Sequence, residues 1–139
     1  NLKPIIMKPL LKPFYNLMLI SVFLIGCSNT STFDKKMMAA ASELNKSLPM
    51  MVDQETRLDN AIALPENVFQ YNYTLVNLTK DEIDLEVFTA YMKPQITNNV
   101  KTNPDLKFFR DNQVTMGYFY KDKNGEFVAK FAVSKKDYK

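Results

Sequence analysis

The apolar pattern after residue 30 begins with a stripe at helical spacing. Its members recur every three or four positions, at Phe33, Met37, Ala41, Leu44 and Leu48. Such spacing places them along one side of a helix. Ser31 or Thr32 can cap the start of this helix, and Pro49 ends it because a proline ring is not tolerated in a helix interior. We interpret the stripe as core-facing, with a partner-binding helix as the alternative.

Residues 50–64 alternate loosely between apolar and polar positions. Four charged residues occupy every second position, namely Asp53, Glu55, Arg57 and Asp59. In an extended strand these side chains would share one face. Two hypotheses follow for them. One is a solvated strand face in which Arg57 neutralises its neighbours, and the other is a hydrolase whose acid and base are Asp53 and Asp59.

Residues 68–78 carry the clearest strand pattern in the chain. One face is aromatic or aliphatic and the other is polar: Phe69, Tyr71, Tyr73 and Leu75 against Gln70, Asn72 and Thr74. This alternation predicts an antiparallel strand with one buried face. The aromatic residues could instead form a binding platform for a peptide, glycan or lipid, but we favour the core interpretation.

A second helix is expected directly after this strand. Thr79 and Glu82 have the spacing of a capping box, which predicts a helix that begins at Lys80. Pro94 is expected to kink or end it. Asn103 and Pro104 then look like the N-cap and first position of a short additional turn.

The C-terminal pattern predicts a hairpin. Two alternating runs flank an Asn-Gly pair: Val114, Met116, Tyr118 and Tyr120 before Asn124-Gly125, then Phe127, Ala129, Phe131 and Val133. Asn-Gly tolerates the positive φ angles of a tight turn. Phe119 alternates with Tyr118, so it is the better candidate for an exposed contact. The polar residues 135–139 are expected to fray.

The predicted order is helix, irregular strand, strand, helix and two strands. It indicates a two-layer α+β domain in which an antiparallel sheet of about four strands carries two main helices on one face. A chain of 139 residues is expected to hold one domain, which we assign to residues 33–139.

The N-terminal 26 residues have the order of a bacterial signal peptide. Lysines precede an apolar run over residues 17–25, which is shorter than the roughly 20 residues that a spanning helix needs. Leu24, Ile25, Gly26 and Cys27 follow. This segment resembles the lipobox of bacterial lipoprotein precursors. The alternative to a lipobox is a transmembrane anchor or an ordinary secretory signal with an incidental cysteine. In either case we expect translation to start at Met7.

The lipobox resemblance implies cleavage before Cys27, which then carries diacylglycerol and usually a further fatty acid such as palmitate on its amino group. Two or three chains, at about 0.8 kcal/mol per buried CH2, hold a protein stably on a bilayer. Residues 27–32 would form a lipidated tether. Because Ser28 rather than Asp follows Cys27, the expected location in a Gram-negative cell is the outer membrane, facing the periplasm.

Charge and composition narrow the chemistry of the domain. The net charge of +3 arises before Cys27, since the rest of the chain holds 15 cationic and 15 anionic side chains. A neutral domain has no long-range attraction for nucleic acid. With no His and a single Cys, the chain lacks the usual ligands of zinc, iron and copper and the commonest general base. We therefore expect no catalytic residue, metal or cofactor.

The mature part resembles a family of small exported bacterial proteins without established activity. The segments that carry the resemblance are residues 48–53, 56–59, 71–77 and the closing hairpin, residues 114–133. The resemblance implies an exported α+β domain. Members of that family often carry cysteines near the positions of Lys101 and Tyr138, which this chain lacks.

Three hypotheses for function remain. The first is a non-catalytic envelope lipoprotein that binds or positions another envelope protein, as an accessory of secretion or pilus assembly. The second is an immunity or superinfection-exclusion lipoprotein, and the third is the hydrolase based on Asp53 and Asp59. Phe119, Asp53, Arg57 and Asp59 are the expected binding surface, and the oligomeric state stays open.

Overall fold

The computed structural model describes residues 31–139. Cys27, the other lipobox residues and most of the predicted tether therefore lie outside the described residues. Within residues 31–139 the chain forms an α+β domain with a five-stranded mixed sheet and four helices. No helix in this part of the chain is both long and apolar enough to span a bilayer.

The first helix, α1, spans Thr32–Asn45. Ser31 is its N-cap, and a capping box joins the Ser31 hydroxyl to the backbone N–H of Asp34 at 3.0 Å. Met37 and Ala41 are buried, so the apolar stripe faces the core as predicted.

The sheet contains five strands in the order in which they occur along the chain. They are β1 (Met50–Met51), β2 (Thr56–Leu64), β3 (Val68–Leu75), β4 (Thr115–Lys121) and β5 (Phe127–Val133). All neighbours are antiparallel except β3 and β4, which pair in parallel at the centre. The predicted α+β class is therefore confirmed, but the sheet has five strands rather than about four, and one of its four strand pairings is parallel.

The parallel pair follows from the connection between its strands. Two strands that are joined by a helix return in the same direction when the helix crosses over one face of the sheet. Here α2 (Leu85–Thr102) lies between β3 and β4 in the chain. The N-terminal hairpin and the C-terminal hairpin thus meet along a single parallel seam.

The start of α2 differs from its prediction. The capping box of Thr79 and Glu82 forms, but it closes only one 3-10 turn over Lys80–Glu82. α2 begins after it, where Asp84 accepts hydrogen bonds from the N–H groups of Glu86 and Val87.

α2 also continues through Pro94 to Thr102. Pro94 has no N–H to donate to the carbonyl of Ala90, and Ala90 is an exposed residue, where water can supply the missing donor. Of the two outcomes predicted at Pro94, a kink or an end of the helix, the end is excluded. Asn103 then caps a 3-10 turn over Pro104–Leu106, as predicted, and this turn leads into α3 (Lys107–Asp111).

The C-terminal part of the chain differs from its prediction in two places. A bulge at Val128 changes the alternation of β5: Lys121 pairs with Phe127, whereas Tyr120 pairs with Ala129. Phe127 therefore lies on the opposite face from Ala129, and Val128 is buried instead. The tail does not fray, because α4 (Lys135–Tyr138) follows β5 and the Tyr138 hydroxyl donates to the Val114 carbonyl at 2.7 Å.

One face of the sheet packs against α1 and α2 and forms the core. The aromatic residues of β3 lie on this face together with Tyr118 and Tyr120 of β4. Phe69, Tyr118 and Tyr120 are buried, and Tyr73 stacks on Tyr120 at 4.9 Å between ring centroids. Burial raises the pKa of Tyr71 to about 12. The tyrosines thus serve chiefly in packing, as the core interpretation predicted.

Candidate binding surface on the open face of the sheet

The sheet face opposite the core has a mixed, mainly polar surface. We call it the open face. Its residues are Arg57, Asp59, Asn60 and Ile62 of β2, Gln70, Asn72 and Thr74 of β3, Gly117, Phe119 and Lys121 of β4, and Phe127, Lys130 and Ala132 of β5. None of them belongs to the buried core cluster that the described helices help to form.

Asp59 is the centre of a charged cluster on the open face. Its Oδ1 accepts a hydrogen bond from Arg57 Nε at 2.6 Å, and its Oδ2 accepts one from the Thr74 hydroxyl at 2.5 Å. Lys121 Nζ lies 3.4 Å from the same Oδ2. The Asp59 side chain is 12% exposed, whereas the two cations are roughly 40% exposed. The carboxylate is therefore largely buried, and the two cationic side chains beside it are accessible to solvent.

Strand pairing positions this cluster. Arg57 on β2 is opposite Thr74 on β3, and Thr74 is beside Lys121 on β4. Asp59 is an extra residue in β2: Leu58 pairs with Tyr73 and the next paired residue is Asn60. This bulge lets the Asp59 carboxylate reach both Arg57 and Thr74.

The environment keeps the Asp59 carboxylate ionised. Partial burial by itself would raise its pKa, but the hydrogen bonds from Thr74 and Arg57 and the positive charges of Arg57 and Lys121 lower the pKa below its usual value. A catalytic general acid near neutral pH needs the opposite shift. Asp59 is thus suited to fixing cations in place.

A ladder of side-chain amides lies beside the charged cluster. Gln70 Nε2 donates to Asn72 Oδ1 at 2.8 Å, and Asn72 Nδ2 donates to Asn60 Oδ1 at 2.6 Å. Gln70 packs over Gly117, where an added Cβ would lie 3.3 Å from the Gln70 side chain. The absence of a side chain at Gly117 therefore makes room for Gln70. Its Oε1 is buried without a hydrogen-bond partner among residues 31–139.

Phe119 adds an apolar element to the open face. It lies next to Asn72 on β3 and opposite Lys130 on β5. Its ring contacts that of Phe127, with the centroids 5.3 Å apart. Phe127 is 49% exposed, so the pair presents aromatic surface to solvent between two cationic positions. Phe127 was missed in the sequence because the bulge at Val128 reverses its expected side.

The structure separates Asp53 and Glu55 from the other predicted surface residues. Both lie in the turn between β1 and β2 rather than in a strand. Asp53 Oδ1 accepts hydrogen bonds from the N–H groups of Glu55 and Thr56, at 2.8 and 2.7 Å, and so closes that turn. The prediction that these residues share a strand face with Arg57 and Asp59 was wrong. Phe119, Arg57 and Asp59 do lie on one face.

The open face can present hydrogen-bonding amides, cations and one aromatic pair to a partner. Its ionic groups are three cations and one carboxylate, so this face is positive although the domain as a whole is neutral. In the part of the chain that the structure describes, no group of three or more acidic, Cys or His residues is arranged to hold a metal ion. This combination of amides, cations and aromatic rings is suited to contact with the surface of a partner molecule.

Comparison with known sequences gives one family. The family model described as "Domain of unknown function (DUF8479)" matches residues 31–129, which is most of the domain. No curated protein sequence matches the chain.

Solved structures with the same fold come from bacterial proteins. A predicted secreted protein from Pseudomonas aeruginosa is similar with a TM-score of 0.62 at 10% identity, over 78% of this chain and 98% of that chain. EpsS, the pilotin of the Vibrio vulnificus type 2 secretion system, gives a TM-score of 0.58 at 8% identity, over 76% and 91%.

A second pilotin has the same fold. It is AspS of the type II secretion system of Vibrio cholerae, with a TM-score of 0.54 at 14% identity, over 75% of this chain and 90% of that chain. At these identities the similarity establishes a shared fold.

Proposed function

We propose that this chain, which belongs to the family described as "Domain of unknown function (DUF8479)", is a lipid-anchored envelope protein that binds another envelope protein during assembly of a secretion or pilus system. The observation that carries the proposal is the fold: nearly the whole length of two type II secretion pilotins is similar to this domain. Lipidation at Cys27 would hold the domain on the membrane where such a partner is assembled.

The open face is the docking surface in this proposal. It combines an aromatic pair, half-buried Phe119 and exposed Phe127, with cations that are already oriented by Asp59. Protein interfaces favour aromatic residues and Arg, and oriented charges select partners and speed their encounter. A partner with an acidic rim around an apolar patch would complement this arrangement.

Site-specific photo-crosslinking in the native host tests the proposal. A photoreactive phenylalanine analogue replaces Phe119 in the full chain, and a matched control places it at Tyr91, which is 65% exposed on α2. We expect one discrete adduct with an envelope protein from position 119 and not from position 91. Mass spectrometry of the adduct then separates an assembly component of the host from an incoming effector, which the immunity hypothesis requires.

Charge reversal supplies the second arm of this experiment. The pair Arg57→Glu and Lys121→Glu removes the positive rim, and we expect the position 119 adduct to fall several-fold. Lys36→Glu on α1, which is exposed and away from the sheet, is the control. Equal adducts from positions 119 and 91, or none from either, would refute the docking surface.

A further inference from the structure

A free strand edge lies beside a groove on the far side of the domain from β1. β5 is the last strand of the sheet and pairs only with β4 within residues 31–139. Every second residue of such an edge strand points its backbone N–H and C=O groups outward. A groove of about 410 Å³ separates this edge from α2. Its walls are the strand residues 128–133 and one row of helix residues, Leu85, Thr89 and Lys93.

The opposite edge of the sheet is partly closed by the chain itself. The Asn45 amide at the end of α1 donates to the Ala61 carbonyl at 2.8 Å and accepts from the Ala61 N–H at 2.7 Å. Asn45 thus makes the two hydrogen bonds that a neighbouring strand would make, and β1 pairs with Arg57 and Leu58 near the start of β2. Among the described residues, the β5 edge carries two protective features, a bulge at Val128 at the start of the strand and the charged Lys130.

The helix row and the strand edge have matching periods. Leu85, Thr89 and Lys93 are each one helical turn apart, which is about 6 Å along the axis. Alternate residues of a strand are about 6.6 Å apart. Three side chains on one face of an added strand would therefore meet these three helix residues in turn.

The two ends of the groove differ in character. Leu85 is apolar and 40% exposed. Lys93 is exposed and forms no ion pair within 4 Å among the described residues. It lines a surface depression together with Asp137 of α4, the helix that follows β5 in the chain. Leu85 therefore lies toward the start of β5 and Lys93 toward its end.

We propose that the β5 edge accepts an extended segment of a partner polypeptide as a sixth strand, with an apolar side chain against Leu85 and a carboxylate beside Lys93. A row of backbone donors and acceptors is complementary to another extended backbone, and the helix row adds side-chain selectivity. The partner segment carries its apolar and acidic residues four positions apart. The edge shares Lys130 and Ala132 with the open face, but strand addition uses the backbone of β5 and does not depend on the docking surface proposed above.

Titration of the full-length 15N-labelled chain with synthetic peptides tests the site. The probes are acetyl-Gly-Leu-Thr-Ser-Thr-Glu-Gly-amide and the same residues in reverse order, because a strand can add in either direction. We expect chemical-shift changes that cluster at residues 85–93 and 128–133, with slower hydrogen exchange at alternate amides of β5. Changes centred on β2 and β3, or absent from β5 at millimolar peptide, would overturn the proposal.

N-methylated peptides separate strand addition from side-chain binding. Two versions of the better probe carry methyl groups on alternate backbone nitrogens, one version for each set. The set that faces β5 must abolish binding and the set that faces solvent must leave it nearly unchanged. Equal binding by both versions would refute strand addition.

Charge exchange tests the end of the groove. Lys93→Glu is expected to weaken the Glu-containing probe at least fivefold and to strengthen a version with Lys in place of Glu. Lys36→Glu on α1 is the matched control and should change neither affinity. Retention of the dispersed amide spectrum shows that each variant is folded, and unchanged affinities in Lys93→Glu would contradict the assigned role of Lys93.

Discussion

The Asp122 carboxylate accepts a hydrogen bond of 2.9 Å from the backbone N–H of Lys80, 42 residues earlier in the chain. Asp122 begins the turn between β4 and β5, and Lys80 begins the turn before α2. The same carboxylate also accepts from the N–H groups of Asn124 and Glu126, at 2.8 Å each, and the side chain is fully buried. Asp122 thus joins the C-terminal hairpin to the entry of the crossover helix.

Replacement of Asp122 is expected to weaken both connections. Asp122→Asn keeps the size of the side chain, but its NH2 group cannot accept from the backbone N–H groups that now face it. We expect the Tm at pH 7 to fall by about 5 °C or more, because buried donors lose their partner. Asp81→Asn, at an exposed position of the same turn as Lys80, is the control and should leave the Tm unchanged. Calorimetry of both variants measures the difference.

The same residue predicts an acid dependence of stability. Burial opposes ionisation of Asp122, but the hydrogen bonds from Glu126, Lys80 and Asn124 lower its pKa below the usual 3.8. A lowered folded-state pKa stabilises the protein above the unfolded-state pKa, and this stability is lost as pH falls through the folded value. The Tm difference between the native chain and Asp122→Asn should therefore be full at pH 6 and shrink below about pH 4. A difference that grows on acidification would contradict this assignment.

The hydrogen bond from Tyr138 to Val114 predicts that the C-terminal helix contributes to stability. Tyr138→Phe removes only the hydroxyl, and we expect a loss of about 1 kcal/mol in the free energy of unfolding. Tyr91→Phe is the control, since Tyr91 is 65% exposed. Urea unfolding with an unchanged m-value would assign the loss to this contact, and equal stability of the two variants would show that α4 adds nothing.

The Asn45 amide predicts a stability effect at the other side of the sheet. Asn45→Ala leaves the N–H and C=O of Ala61 without their partners, and Ala61 is fully buried. We expect a loss of about 1–3 kcal/mol. Asn98→Ala, at an exposed position of α2, should be neutral or slightly stabilising because Ala favours helix. Denaturant unfolding of both variants is the measurement, with light scattering as a check for association through the freed edge.

Substitution of Cys27 tests the predicted lipid anchor of the chain. Cys27→Ala is expected to abolish incorporation of labelled fatty acid and to leave an uncleaved precursor, since lipidation would use the only thiol of the chain. Cys27→Ser should behave in the same way. Metabolic labelling followed by membrane fractionation measures this, and normal labelling of the Ala variant would refute the lipobox assignment.

Local patterns predicted the parts of the fold that depend on neighbours in sequence. The alternation over β3 identified its two faces because a strand has a period of two. Caps were predicted at Asn103 and at either Ser31 or Thr32, because capping requires only a side-chain oxygen a few residues from its donor, and the structure selects Ser31. The strand direction at the centre was missed, although the order strand, helix, strand was itself a signal for a parallel pair.

The remaining errors have separate causes. The loose alternation over residues 50–64 suggested a strand and obscured a local turn signal, because Asp53 closes a turn and Asp is favoured in turns and depleted in strands. The β5 bulge at Val128 reverses Phe127, and a bulge has no signal in the apolar pattern. The sequence alone predicted three residues of the open face, Arg57, Asp59 and Phe119. Lys121 and Thr74 could be assigned to this face only from the strand register.

The bulge in β2 has a further consequence for Asp59. Without that one residue, Arg57 and Leu58 would be followed directly by Asn60 and Ala61, and the strand would alternate regularly with every present pairing intact. Asp59 is thus an insertion that the sheet does not need, and its removal would shorten the chain without moving any core residue to the wrong side. A deletion of Asp59 alone should therefore leave the fold in place while it releases Arg57 and Lys121 to move independently.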